Sequence, residues 1–215
     1  MKLAPAALAL ALFVAPLAAG CQSAYYEAME VFGKEKRDLL RSELNGMVTD
    51  QKEAEHAFTD ALTRVKALTH FDGGDLEREY EKLKDASGDA QSSVADIDSR
   101  MNEIETVGSD LFAEWEEEIA QIQSPNMRDA SRQKLRETRA RFDTMRGQLR
   151  ETRRSMDPVL ALLNDHVLFL KHNLNAAAIG SLGEAMGDIE DGIEDLKGRI
   201  QESIREAQRF LAAMQ

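Results

Sequence analysis

The chain has 215 residues, a formal net charge of −12, 31% charged residues and only 6% aromatic ones. Scarce aromatics, few prolines and abundant charge favour long charged helices over a sheet core, and nothing reads as a linker between two domains. The acidic balance argues against a general nucleic-acid binder, which needs a basic face to displace counterions.

Residues 1–20 differ from everything after them. Lys2 is a minimal basic start, and "LAPAALALALFVAPL" follows as an apolar core ending in small residues. The run is short and lacks a stop-transfer flank, so it reads as a secretory signal peptide rather than a membrane span. It carries one Lys and no acid, so its removal takes the net charge from −12 to −13. "LAAGC" resembles a bacterial lipobox, with Gly20 before Cys21, although Ala18 stands where Leu is more usual. The alternative is an ordinary signal followed by a free thiol. Cys21 is the only cysteine, and an exported lone thiol has no partner within the chain. Lipidation at Cys21 is therefore expected, with several acyl chains giving a stable anchor. Gln22 in place of Asp points, by analogy with enteric sorting rules, to the periplasmic face of the outer membrane. Residues 21–215 then form a single elongated helical-bundle domain.

In the first arm, apolar steps between Phe32 and Leu44 run four, four, four, a stutter that relaxes a supercoil. Alternating steps of three and four follow through Met47, Gln51, Ala54, Phe58, Ala61, Val65 and Leu68. Within this arm "EAEH" gives Glu53 and His56 the Glu-x-x-His spacing of di-iron bundles. No second such motif exists, and the heptad phase puts His56 on the outermost face. "HFDGGDLE" then ends the arm, with Gly73 and Gly74 in the turn and Asp75 as N-cap of the next helix.

The second arm keeps the heptad without a phase change from Leu76 through Tyr80, Leu83, Ser87, Ala90, Val94, Ile97, Met101, Ile104, Gly108, Leu111, Trp115 and Glu118 to Ile122. A run that long means coiled-coil-like packing rather than an amphipathic surface helix. "QSPNM" offers Ser124 as N-cap and Pro125 at the first helical position.

The third arm continues with Leu135, Thr138, Phe142, Met145, Leu149, Thr152 and Met156. Residues 75–123 hold 15 acidic and 4 basic side chains, whereas residues 125–155 hold 10 basic and 4 acidic. As arms of one hairpin they form a salt-bridged seam; a sharper reading has Arg136, Arg139, Arg146 and Arg150 bind anionic lipid or polymer. Pro158 interrupts this arm. If it ended the helix, the result would be a three-helix elongated bundle with a kinked or broken third arm, and the remaining lengths could not pair. Beyond Pro158, Leu163, Val167, Leu170 and Leu174 fill core sites, while Leu162, Leu168 and Phe169 fall outside them. That surplus is either absorbed by a widened bundle or left as a docking or self-association patch.

"LKHNLNAA" closes the arm with Lys171 and His172 in a last turn, Asn173 as a left-handed residue and Asn175 as N-cap. The fourth arm runs through Ile179, Leu182, Met186, Ile189, Ile193, Leu196 and Ile200. Gly180, Gly183 and Gly187 make a stripe on it that signals either close helix approach or local softness.

The expected fold is therefore all-α, a long antiparallel four-helix coiled-coil bundle with arms of about 48, 48, 47 and 40 residues. Alternating arms put Cys21, the "QSPN" turn and the C-terminus at one end. Phe71, Asp72, Gly73, Gly74 and Asp75 stand at the other with His172, Asn173 and Asn175. That tip, with the flank Leu168 and Phe169, is the expected contact with an envelope protein or the cell wall, so the chain reads as a membrane-tethered spacer or adaptor. Two alternatives are a membrane-surface module using the Arg-rich arm and a metal- or small-ligand-binding tip built from His70, Asp72, Asp75 and His172. A homo-oligomer burying the apolar flank is a further option. Capping roles account for the tip residues, no metal-ligand pattern is matched, and no cofactor is expected. The sequence has no P-loop, nucleophile elbow, zincin helix or paired-Cys motif, so an enzyme is not expected.

The strings "CQSAYYEAME", "FDGGDLE", "LFAEW", "RQKLRETRARFD" and "MDPVLALLNDHVLFLKHNLNAAAIGSL" resemble an uncharacterised family of proteobacterial exported proteins, domain of unknown function 2959. The similarity covers essentially the whole mature chain, and the last string is the most specific. It implies a helical, envelope-located protein whose tip loops and preceding segment are characteristic, and it brings no catalytic residues.

Overall fold

Among the described residues four helices follow one another through short loops: α1 (Gly20–Thr69), α2 (Leu76–Gln121), α3 (Pro125–His172) and α4 (Ala176–Ala213). The computed structural model describes residues 20–71 and 73–214, with side chains from residue 35 onward except at residue 176. Residues 1–19 of the expected signal peptide, the Cys21 side chain and Asp72 lie outside the described residues.

Each helix packs on the next, and α4 closes on α1. The packing is antiparallel. Rising numbers on α1 meet falling ones on α4, from Arg41 beside Met214 through Gln51 beside Ser203 to Lys66 beside Glu190. On the α2–α3 seam Ser87 meets Asn164, Asp98 meets Arg153 and Glu116 meets Arg139. The all-α four-helix bundle expected from the heptads is the fold observed.

The heptad positions supply the core. Met47, Ala54, Phe58, Ala61, Val65 and Leu68 are buried on α1, as are Leu83, Ala90, Val94, Ile97 and Ile104 on α2. They meet Leu135, Phe142, Met145, Leu149, Met156 and Leu163 of α3 and Leu182, Ile189, Ile193, Leu196 and Ile200 of α4. Removing such side chains from water is the main stabilising term. Trp115 packs against this core half-exposed, and its indole N–H donates to Ser131 Oγ at 3.1 Å.

Polar groups inside the core sit at helix seams. Gln51 donates to Ser203 Oγ at 2.7 Å between α1 and α4, Ser87 to Asn164 Oδ1 at 3.2 Å between α2 and α3, and Thr152 to the Arg199 carbonyl at 3.4 Å between α3 and α4. The α1–α2 seam instead uses Arg100, bonded to Asp50 at 2.9 Å and Glu43 at 2.7 Å. A one-turn slip would leave these groups unmatched, so they fix register where apolar contacts alone would tolerate sliding.

Pro158 lies inside α3, which runs unbroken past it. The three-helix alternative with a broken third arm is therefore not adopted. Pro158 is exposed while Met156 and Val159 beside it are buried, so packing on both sides outweighs one missing backbone donor.

The loops follow their capping residues. Asp75 accepts from the Arg78 N–H at 3.1 Å, and Asn175 from those of Ala177 and Ala178. Gly73 and Gly74 take φ values of 144° and 114°, open to them because they lack a Cβ. Ser124 is the N-cap of α3 without a side-chain cap bond. Arg128 instead turns back onto the Ile122 carbonyl at 3.0 Å. Asn173 does not adopt the left-handed conformation expected of it, having φ −133°. Its side-chain amide donates to the Phe169 carbonyl at 3.0 Å, which caps the helix without a positive φ.

Candidate functional site

The antiparallel order brings the α1–α2 loop and the α3–α4 loop to the end of the bundle opposite Gly20. Among the described residues no hydrogen bond joins the two loops. His70 is exposed, its Nδ1 2.9 Å from the Lys66 carbonyl and 3.2 Å from Thr69 Oγ1, so its ring is used by its own helix end. Phe71 is half-buried, whereas Gly73, Gly74, Asp75, His172, Asn173 and Asn175 are exposed. Asp75, Asn173 and Asn175 serve as caps, which fully accounts for those side chains. Among the described residues no three His, Cys, Asp or Glu side chains form a metal-sized group. Glu53 and His56 are both exposed on α1.

Just below the loops, Leu168 is 59% exposed and Phe169 44% exposed, next to each other on α3. Large apolar side chains left in water forgo the free energy of burial, and here two adjacent ones do so near the loop end. Leu163 and Leu170 on the same helix are fully buried, so the bundle does not absorb the whole apolar surplus. Leu162 is half-buried and packs against the core edge.

An open groove of about 310 Å³ runs between α3 and α4 from Pro158. Val159, Leu162 and Leu196 make it apolar, Gly192 keeps it shallow-walled, and Asp188, Asp195 and Arg199 stand along it. One turn further along, His166 is partly buried, and that burial pushes its pKa below the usual 6.5 against the opposing pull of Asp165.

The basic arm is largely occupied. Arg139 pairs with Glu116 at 2.8 Å and Arg150 with Glu105 at 2.6 Å, both on α2, and Arg146 pairs with Asp143 on its own helix at 3.0 Å. Arg153 reaches Asp98 through two bonds of 2.7 and 2.8 Å. Arg139 also lies over the Phe112 ring and Arg146 over Phe142. Arg136 is exposed and makes no ion pair among the described residues. The acidic "EWEEE" end is divided between helices: Glu114 lies 3.2 Å from Lys36 of α1, while Glu116 goes to α3. Burial raises the Glu118 pKa, and nearby Glu114 adds to the rise.

Sequence reasoning missed the groove, because Asp188 and Asp195 read as an ordinary solvated helix face until α3 is placed beside them. It also missed Arg128 as a helix-end cap, for which the only signal was an Arg three residues after Pro125.

A family model described as a protein of unknown function (DUF2959) matches residues 25–214. No curated protein matches the chain.

Proposed function

The chain belongs to the DUF2959 family of proteins of unknown function, and from that premise we propose that it is a lipid-anchored envelope spacer or adaptor. In this reading Cys21 carries the lipid at the periplasmic face of the outer membrane, and the bundle holds its loop end away from that surface. The loop end, with Leu168 and Phe169, contacts an envelope protein or the cell wall.

One observation carries the reading: Leu168 and Phe169 are exposed side by side on α3 at the end of the bundle opposite Gly20. The supporting geometry is a helix α1 that starts at Gly20 and runs unbroken for 50 residues, about 75 Å. The alternative, in which the third helix binds anionic lipid, has less support because Arg139 and Arg150 already bond α2 carboxylates.

Photo-crosslinking in cells tests the proposal, with the reactive residue placed at Phe169, at Asn173 and, as control, at exposed Gln123 in the opposite turn. A discrete adduct from Phe169 or Asn173 but not Gln123 is expected. Reaction from Gln123 alone, or no adduct at any position, would overturn the tip assignment. Incorporation of labelled fatty acid into the wild-type chain but not Cys21→Ser tests the anchor.

A further inference from the structure

The α3 face that lines the α3–α4 groove continues past it toward the loop end. On α3, Pro158, Leu162, Asp165 and Phe169 recur at spacings that return to one helix face, so the line that lines the groove passes exposed Asp165 before it reaches exposed Phe169. On α4, Asp195, Gly192, Asp188 and Glu184 share one face by the same spacing. From Ser155 to Phe169 the α3 face is about 21 Å long, the length of roughly fourteen helical residues, apolar at Pro158, Leu162 and Phe169 and acidic at Asp165.

The groove's rim is predominantly acidic. Glu184, Asp188, Asp191 and Asp195 are all exposed, and none makes an ion pair among the described residues. Their neighbours Glu190 and Glu194 do, with Lys66 and Lys197. Arg199 is the single cation lining the groove.

We infer that this groove is the seat for a basic amphipathic helix of a partner protein, its apolar stripe on Leu162 and Phe169 and its Lys or Arg residues against Asp188 and Asp195. The inference rests on the adaptor reading and specifies the partner's chemistry. An apolar stripe gains burial in such a groove, and flanking cations meet carboxylates that have no internal partner. A second copy is a poorer occupant: its exposed large apolar side chains among the described residues are Leu39, Met127, Leu168 and Phe169. The stretch of α3 that carries Arg136, Arg141 and Arg154, which make no ion pair among the described residues, therefore has no exposed apolar stripe beside them.

The test uses a labelled synthetic helix of fourteen residues with leucines on one face and lysines flanking them, and its glutamate counterpart. Each is titrated by fluorescence anisotropy into the full-length chain carrying Cys21→Ser. The lysine peptide is expected to bind, the glutamate peptide about tenfold or more weakly. Asp188→Asn with Asp195→Asn, and separately Phe169→Ser, should each weaken binding about tenfold. Asp110→Asn with Glu117→Gln removes the same charge elsewhere and should leave affinity within about twofold. Circular dichroism verifies folding, and Phe169→Ser alters only an exposed position. Equal losses from both acid pairs, or none from the groove variants, would overturn the inference. So would a dimer by sedimentation that the groove pair abolishes, which would seat a second copy there. A tip adduct in cells together with failure here would leave the adaptor reading standing without this groove.

Discussion

Gln51 and Ser203 face each other across 2.7 Å in a core that is otherwise nearly all hydrocarbon, tying the middle of α1 to α4. Both are essentially without solvent access, at 1% and 0%, and the Gln51 Oε1 has no partner. Ser203→Ala should cost about 1–3 kcal/mol, because it leaves the whole buried amide unmatched. Gln51→Leu with Ser203→Ala should restore wild-type stability or exceed it, since no polar group then remains to desolvate. Urea unfolding of the three chains checks both expectations.

Glycine substitutions should separate by position. A Cβ at Gly108 would clash with Cζ of the Phe142 ring, which also packs edge-on against Phe112. Gly108→Ala should therefore destabilise by about 1–3 kcal/mol despite the better helix propensity of alanine. At Gly180, Gly183 and Gly187 a Cβ meets nothing within 4 Å. Alanine at each should stabilise by about 0.5–1 kcal/mol. Thermal unfolding of Gly108→Ala and of the triple variant would show opposite shifts in Tm.

Acidification should weaken the fold through His166. Its folded pKa is depressed, chiefly by burial, so the unfolded chain takes up a proton before the folded one. The contribution is fully present above the ordinary 6.5 and is lost as pH falls through that value toward the lower folded pKa. Glu118 acts in the opposite sense at more acidic pH, because burial raises its pKa. Tm should fall between about pH 7.5 and about pH 5.5, and His166→Gln should flatten that fall.

The exposed apolar pair should be dispensable for folding. Leu168→Ser and Phe169→Ser should each change stability by no more than about 0.5 kcal/mol, whereas Leu170→Ser, one position on, should cost several. Chemical denaturation of the three variants checks whether the exposed pair supports the bundle.

Much of the bundle was legible because its core repeats along one dimension. Gln51, Phe58, Val94 and Ile193 were all assigned to the interior by spacing alone, and all are buried. Caps at Asp75 and Asn175 followed from residue type, since a short carboxylate or amide before a helix has one good use there. Properties set by two helices at once were harder to read. The glycines at 180, 183 and 187 fit either tight packing or open surface, and only the neighbouring helix decides between them. Asn173 was misassigned because its side chain could cap the helix itself and spare the backbone the unusual φ. The groove beside Pro158 combines residues about thirty to forty positions apart, and no single-helix pattern records that meeting.

Helix α4 ends beside Arg41, whose guanidinium reaches the Met214 carbonyl at 3.4 Å. Helix α1 begins about twenty residues earlier, and the α2–α3 hairpin also continues beyond that level, where Trp115 meets Ser131. The first buried residue of α3 is accordingly Leu135. Among the described residues, α2 and α3 thus run on for about 20 Å past the level where α4 stops, up to the turn at residues 122–124. A beam's resistance to bending rises steeply with its breadth, so the described bundle is stiffest where all four helices run side by side and more compliant where α2 and α3 run on past α4. Bending of the described helices would concentrate in that stretch and leave the seam at Gln51 and Ser203 undistorted.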